Sequence, residues 1–455
     1  MLSDVIAALA TPPGRSAIAV VRVSGAGTLE VAERVLLGAA RTEGREQGLA
    51  GWPPRVAHLT TLVSADGTAI DQALVSVFRA PNSYTGEDLV EFSCHGGLLA
   101  PAELLAALHA AGARPATPGE FTRRAVLNGK LDLLQAEAVG DLIDATAPAQ
   151  GRTALYQLDG GLSRRLLALR EELLELLALL SYDIDFPEED DGAVPRERML
   201  ALRTRVRDSI GRLLATAPAG QRLHDGALVV LAGRPNAGKS SLFNALLGSS
   251  RALVTEIPGT TRDTIEAQSD VLGWPVRYAD TAGLRDADER LERMGIEVSR
   301  RYVAAADLVL LCVEADRDAT PDERRLLGER PSLLVRSKAD LSPEPHAGDG
   351  LGVSAVTGAG LDRLREAIAL RLFGDGTGGG YADLEPMLSR ERHRAGLTRA
   401  AAGLDAALPE LAGGGDPVLA AHHLRDAVAA LEELIGLVHP DEVLGRVFAR
   451  FCVGK

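Results

Sequence analysis

The residues best equipped for chemistry begin at Gly233-Arg-Pro-Asn-Ala-Gly-Lys-Ser240, a complete G-x-x-x-x-G-K-S phosphate loop set between the apolar run Leu228 to Ala232 and the helical run Ser241 to Leu247. The chemistry is phosphate binding. Glycines let backbone N–H groups wrap a β-phosphate closely, Lys239 brings an ammonium to the β- and γ-phosphates, and Ser240 offers a hydroxyl to Mg²⁺. Asn236, Ala237, Gly238 and Ser241 complete this stretch of nucleotide contacts. Gly259-Thr-Thr-Arg-Asp263 follows, before the run Thr264 to Val271, which reads as an edge strand turning at Gly273 to Trp274. A threonine here can close over Mg²⁺ and the γ-phosphate. Asp280-Thr-Ala-Gly283 then places Asp280 for the metal's outer shell and the Gly283 N–H against the γ-phosphate, with Thr281 and Ala282 between them.

Base choice rests on Ser337-Lys-Ala-Asp340 and on Ser354-Ala355, each at the end of an apolar run. Asp340 can accept two hydrogen bonds from a guanine edge, which adenine cannot supply, and Lys338 lies between it and Ser337. In this order the motifs specify a GTPase rather than a general ATPase. Ser337 stands where GTPases usually carry asparagine. Leu284 stands where many carry a glutamine that orients water, so hydrolysis needs another polar group.

Elements of three kinds must hold these residues. Up to about residue 126, the runs Ala17 to Val23, Val56 to Val63, Gln72 to Phe78 and Leu89 to Ser93, with a helix from Leu98 to Ala111, give an α+β pattern. From about Leu127 the period becomes helical: Leu162, Leu166, Leu169, Leu173, Leu176 and Leu180 form a packing seam, and Met199, Leu202, Val206, Ile210 and Leu213 share one face of a helix from Pro195 to Ala217. Between Gly226 and Phe373 strands alternate with helices, the buried strands being Leu228 to Ala232, Val276 to Ala279, Leu308 to Glu314 and Leu333 to Arg336. The Gly374 to Gly380 stretch reads as a hinge, after which Leu424, Val428, Leu431 and Ile435 restore the helical period. The expected organisation is therefore an α+β domain at 1–126, a discontinuous helical domain at 127–225 and 377–455, and an inserted Ras-like P-loop GTPase domain at 226–376.

The chain has 455 residues, 46% of them hydrophobic and 25% charged, which fits two or three globular domains and excludes wholesale disorder. Lys and Arg number 49 against 63 Asp and Glu, a net charge of −14, so a protein gripping nucleic acid through a broad basic face is disfavoured. A polyanion would have to meet a local patch or arrive on a partner. Three scattered cysteines, Cys94, Cys312 and Cys452, suit neither a disulfide framework nor a four-thiolate zinc site. Cys94 beside His95 reads as structural, and Cys312 as core. The first residues resemble no signal peptide and no apolar run could span a bilayer, so a cytoplasmic protein with no membrane partner is expected.

Beyond the phosphate loop, the chain resembles the bacterial and organellar tRNA uridine-modification GTPase family MnmE (TrmE). The resemblance lies in Ala10-Thr-Pro-Pro-Gly-Arg15, Val21-Arg-Val-Ser-Gly25, Pro81-Asn-Ser-Tyr-Thr-Gly-Glu-Asp88, Cys94-His-Gly-Gly97, Pro118-Gly-Glu-Phe-Thr122, Leu127-Asn-Gly-Lys-Leu-Asp132, Gln135-Ala-Glu-Ala138 and Cys452-Val-Gly-Lys455, and so covers essentially the whole chain. It implies a folate-binding amino-terminal domain that forms a homodimer, and a partner flavoprotein, MnmG (GidA), in a heterotetramer or larger. With MnmG such proteins place aminomethyl or carboxymethylaminomethyl groups on carbon 5 of the wobble uridine of certain tRNAs. The one-carbon donor is a tetrahydrofolate derivative, in its 5-formyl or 5,10-methylene form, and tRNA is handled through the complex. By residue, it implies K⁺ ligation at Asn236, Thr255, Ile257 and Thr260, Mg²⁺ ligation at Ser240 and Thr261, and two catalytic residues, Glu292, which positions water, and Lys239. It further implies folate contacts at Arg22, Glu87, Lys130 and Lys455, and a modification-associated Cys452.

Two other readings stay open on sequence. A ribosome-assembly or signalling switch would usually append an RNA-binding domain, but residues 381–455 hold 8 basic and 11 acidic residues. A stand-alone folate-dependent aminomethyl transferase regulated by GTP would need no MnmG.

Overall fold

The structure, a computed structural model, describes residues 4–37, 48–185, 195–248, 265–280, 301–342, 349–374, 387–438, 441–449 and 451–455. Contacts gather the chain into two units, Met1–Gly140 with Glu432–Lys455, and Asp141–Leu431.

The first unit is built on strands β1 (Ile6–Leu9), β2 (Ile18–Ser24), β3 (Ala57–Val63), β4 (Ala69–Phe78), β5 (Leu89–His95) and β6 (Arg114–Pro115), in the order β3-β4-β5-β2-β1-β6. All pairings are antiparallel except β1 with β6. Period-two alternation buries Ala19, Val21 and Val23 of β2 with Val75, Val77, Val90 and Phe92, under helices Thr28–Glu33 and Ala100–Ala110. The same alternation sends Arg22 to the opposite face.

Several boundaries depart from the sequence pattern, β4 for instance beginning at Ala69 rather than Gln72. Ile6–Leu9, an apolar stretch too short to show a period, is a strand. The helix expected from Leu98 starts at Ala100, with Pro101 in its first turn and Leu98 and Leu99 exposed. The helix expected over Pro195 to Ala217 is Arg196–Ala215. A second helix, Ala217–Asp225, restarts after Thr216 with Pro218 in its first turn, where a missing N–H costs nothing.

The chain's later residues return to this unit. Leu444 and Phe448 of helix Asp441–Phe448 pack on Val126, Leu133 and Ala136, and the Gly119 N–H donates to the Cys452 carbonyl at 3.3 Å. Gly454, at φ +99°, passes so close to the Leu9 carbonyl that a Cβ would collide with it.

In the second unit the leucine seam of helix Gly161–Asp185 is buried throughout, as are the five residues of the Met199 to Leu213 face. Helix Glu391–Pro409, from beyond the α/β segment, joins them: the Arg203 Nε donates to the Leu404 carbonyl at 3.0 Å. The α/β segment carries β7 (Ala227–Ala232), β8 (Ile265–Val271), β9 (Trp274–Asp280), β10 (Leu308–Glu314), β11 (Ser332–Ser337) and β12 (Leu351–Gly352), in the order β12-β11-β10-β7-β9-β8. Every pairing is parallel except that of β8, an antiparallel edge strand. β7, buried at all six positions, is the central strand; chain order reverses across it, and ligands of open α/β sheets bind at such a switch point. No helix among the described residues is long and apolar enough to cross a membrane.

Candidate functional site

At the carboxyl end of β7 the chain turns through Gly233 to Gly238 into helix Lys239–Leu247. Gly233 adopts φ +141°, and a Cβ there would strike the Cys312 carbonyl oxygen of β10, so only glycine fits. Asn236 sits in the left-handed region at φ +63°, exposed at the loop's crest, while Ala237 is buried beneath it. Lys239, 5% exposed, donates from Nζ to the Gly233 and Arg234 carbonyls at 3.1 and 2.8 Å, which folds its ammonium over the loop.

The neighbouring strand end supplies an acid. Ser240 Oγ donates to Oδ2 of the buried Asp280 at 2.7 Å, placing a hydroxyl and a carboxylate, both hard oxygen donors of the kind Mg²⁺ selects, beside the phosphate loop. The end of β11 is tied in as well. The buried Ser337 hydroxyl donates to the Ala237 carbonyl at 2.7 Å, fastening the Ser337–Asp340 loop to the phosphate loop. Lys338, at φ +56°, pairs with Glu314, whose carboxyl that ammonium holds below its usual range. Asp340 is exposed on a short 3-10 turn, Ala339–Leu341. The Ala339 N–H donates to the Val353 carbonyl at 3.2 Å, and buried Ser354 Oγ accepts from the Thr357 N–H at 3.1 Å, which sets Ser354 and Ala355 beside the Asp340 turn. Ser241 is exposed on the first turn of its helix. Thr255, Ile257, Thr260, Thr261, Thr281, Ala282, Gly283 and Glu292 lie outside the described residues. Cys312 is fully buried in β10, where burial pushes its thiol up to about 12.

The first unit holds a second cluster. Arg22 donates to Glu91 from Nε and Nη2 at 2.9 and 2.7 Å, and its guanidinium lies over the rings of Tyr84 and Phe121 at 5.3 and 5.7 Å. Glu87 accepts from Ser24 Oγ at 2.9 Å and from Arg124 Nη1 at 3.2 Å. Lys130 lies against Gly86, whose Cβ would stand 3.2 Å from its Cγ. Arg22, Glu87 and Lys130 thus meet around the loop Pro81 to Asp88. Lys455 follows Gly454 at the Leu9 end of β1, and Leu9 pairs with Val21, the neighbour of Arg22. Cys452 is exposed.

Motif reading left unassigned the residues that brace this cluster. Arg124, 1% exposed, donates to Asp4 at 2.9 Å and to Glu120 at 3.0 Å as well as to Glu87. Glu120 also receives Arg114 in a two-pronged pair at 2.6 and 2.9 Å. Burial alone would raise the Glu120 carboxyl, but Arg114, the Thr117 N–H and Arg124 overcome it and hold the group at about 2. The sequence signal was available: Glu120, Tyr84 and Phe121 all lie inside stretches already quoted for the family. Cys94 and His95, expected to be structural, point apart, Cys94 buried and His95 exposed with Nδ1 2.7 Å from Asp71. Among the described residues no three His, Cys, Asp or Glu side chains gather as a metal site would need.

Comparison with known proteins covers nearly the whole chain. The family model for the MnmE helical domain matches residues 133–452, and that for the GTP-binding protein TrmE N-terminus matches residues 5–130. The chain belongs to the MnmE family. It is 42% identical over 472 residues to the tRNA modification GTPase MnmE of Heliobacterium modesticaldum and 46% identical over 456 residues to that of Thermus thermophilus, with all of this chain and all of each relative covered. Among solved structures, the G domain of the T. maritima FeoB iron transporter is 28% identical, covering 32% of this chain and 98% of its own, at a TM-score of 0.25. Membership of the MnmE family makes this chain a GTPase and joins its three kinds of element, the amino-terminal sheet, the helical portion and the α/β segment, in one enzyme.

Proposed function

We propose that the chain is a K⁺-activated GTP hydrolase acting with MnmG to install an aminomethyl or carboxymethylaminomethyl group at carbon 5 of the wobble uridine of certain tRNAs, from a tetrahydrofolate derivative. The observation that carries the hydrolase reading is the 2.7 Å pair of Ser240 Oγ, on the first turn of helix Lys239–Leu247, and Asp280 Oδ2, at the end of β9, beside Lys239. Lys239 and the loop's backbone N–H groups grip the phosphates, Asp340 reads guanine, and Ser337 keeps the two loops in register. Ser240 and Thr261 would hold Mg²⁺, which neutralises phosphate charge when bound. Asn236, at its exposed crest, fits the K⁺ role, with Thr255, Ile257 and Thr260 as its other ligands; K⁺ there would stabilise charge developing between the phosphates. Glu292 orients the attacking water, a task Leu284 cannot perform.

In the first unit, Arg22, Glu87, Lys130 and Lys455 would bind the folate. A cation held over two aromatic rings and a braced carboxylate suit a flat, polar heterocycle with a charged tail. Cys452 stands beside Lys455 on the modification side. The protein works as a cytoplasmic homodimer, organised as an amino-terminal domain at 1–126, a helical domain at 127–225 and 377–455, and a GTPase domain at 226–376.

Reconstitution tests the whole reading. The chain, MnmG, undermodified tRNA, GTP and 5,10-methylenetetrahydrofolate are combined in KCl or in NaCl at equal ionic strength, and wobble uridines are read by mass spectrometry alongside phosphate release. Modification and turnover should both be faster in KCl. Equal turnover in the two salts removes the K⁺ assignment, and modification without MnmG favours the stand-alone transferase.

A further inference from the structure

Helix Gly161–Asp185 begins, and helix Arg196–Ala215 ends, around a groove of about 480 Å³ closed on one side by helix Pro148–Leu158. Tyr156, Arg164, Arg165, Ser209, Arg212 and Thr216 line it, and no carboxylate does. Elsewhere on the same helices arginines are matched with acids: Arg198 with Glu175 at 3.2 Å, Arg205 with Glu172 at 2.9 Å, and Arg207 with Asp405 at 2.9 Å. In the groove they are not. Among the described residues Arg164 donates only to the Asp159 carbonyl, Arg212 only to Ser209 Oγ at 2.8 Å, and Arg165 has no ion-pair partner. Three guanidinium groups converge there on a chain whose net charge is −14.

The groove does not end at Arg212. A shallower concavity of about 570 Å³ shares that residue and continues along the helix past Asp208, Arg205 and Thr204 to Leu200. From residue 200 to residue 216 a helix rises roughly 24 Å, at about 1.5 Å per residue. The cationic end of this track is the groove of Arg164, Arg165 and Arg212, since the extension carries the Asp208 carboxylate and an Arg205 already paired with Glu172, and its length suits a polymeric anion better than a single small one. Planar guanidinium forks match phosphate oxygens two at a time, and Tyr156 at the groove's end offers a ring to an unstacked base. An acidic peptide can meet the same guanidinium groups, but the groove offers no deep apolar pocket to anchor a side chain and so favours a repeating phosphate backbone. The groove's apolar lining is limited to small or buried residues such as Ala168 and Leu213.

We propose that this groove binds the phosphate backbone of an RNA, positioning it without reading its sequence. The inference rests on the tRNA reading above and adds to it a direct contact on the helical portion of this chain. Phosphate contacts of this kind set register and orientation, leaving base choice to other groups.

The test is fluorescence anisotropy of a labelled tRNA transcript, uridine at the wobble position, titrated with the full chain over a series of KCl concentrations, without nucleotide or MnmG. R164E/R165E should weaken binding more than about tenfold and lower the slope of log affinity against log salt by about 2, equally for transcripts with different anticodons. R164Q/R165Q should give a smaller change in the same direction, and R164K/R165K should recover most of the affinity. GTP turnover of each variant reports folding and should match wild type. Because binding is read without GTP or MnmG, its result is independent of whether hydrolysis or uridine modification is observed. Unchanged tRNA affinity and salt slope in folded R164E/R165E would overturn the proposal. So would loss of MnmG binding with tRNA binding intact, which would make the groove a protein-docking surface.

Discussion

The two polar clusters are held in opposite ways. Around β7 the phosphate loop is shaped by backbone: Gly233 where no Cβ fits, Asn236 and Lys338 at positive φ, and carbonyl oxygens receiving Lys239 and Ser337. Around the loop Pro81 to Asp88 the shape comes from side-chain charge, with buried Arg124 bonded at once to Asp4, Glu87 and Glu120. The first kind of site is local in sequence and tolerates a change of side chain where the backbone permits it. The second is assembled from distant segments and is weakened when one charge is removed, because the buried Glu120 and the largely buried Glu87 each lose a charged donor.

The largest expected effect is therefore in the first unit. Arg124→Met should destabilise it by about 3–5 kcal/mol, the range for removing one member of a buried ionic group. Chemical denaturation followed on the full chain should show an early transition in the variant, with GTP binding at the second unit retained beyond it. A single unshifted transition would show that the first unit does not depend on the Arg124 charge.

A smaller effect belongs to Ser337. Ser337→Ala leaves the buried Ala237 carbonyl without that donor, a loss of about 1–3 kcal/mol, or roughly five- to 150-fold in nucleotide affinity. Ser337→Thr keeps a hydroxyl and should recover much of it. Equilibrium binding of GTP and GDP measures both variants. Equal affinities for wild type and Ser337→Ala would show that the loops hold their register without this tie.

The smallest effect is a pH dependence. Glu120 is held at about 2 in the folded chain against an ordinary value of 4.5, so its contribution to stability is fully present above pH 4.5 and is lost as pH falls towards 2. Glu120→Gln should flatten that limb of the acid-unfolding curve for the first unit. A wild-type limb that rises on acidification would contradict the sign.

These contrasts also explain what the sequence revealed. The phosphate loop, the central strand Leu228 to Ala232, the antiparallel edge strand and the leucine seam were legible because each is set by contiguous spacing: glycine positions, a short apolar run, a 4-3-4 repeat. The strand Ile6–Leu9 was not, since four apolar residues carry no period, and its role comes from pairing with Val21 to Ser24 on one side and Arg114 on the other. Arg124 was missed for a similar reason. It lies on the buried face of helix Glu120–Leu127, where a charge reads as an error in the pattern unless its carboxylates, one on Asp4 and one on Glu87, are known to arrive from elsewhere. Arg22, Glu87, Lys130 and Lys455 could be named only from the family resemblance, since nothing local distinguishes them from surface charges.

The packing of Leu444, Phe448 and Gly454 onto the amino-terminal part of the first unit sets an order in time. The six strands of that unit leave the ribosome early, but Leu444, Phe448 and Gly454 follow only after the whole of Asp141–Leu431 has been made, a delay on the order of tens of seconds at ~5–20 residues per second. During that interval Val126, Leu133 and Ala136 have no Phe448 to cover them, and the Leu9 end of β1 lacks the segment that brings Lys455. The unit whose residues are translated first is thus completed last, and a chain halted before residue 441 would display a finished sheet beside an open apolar face.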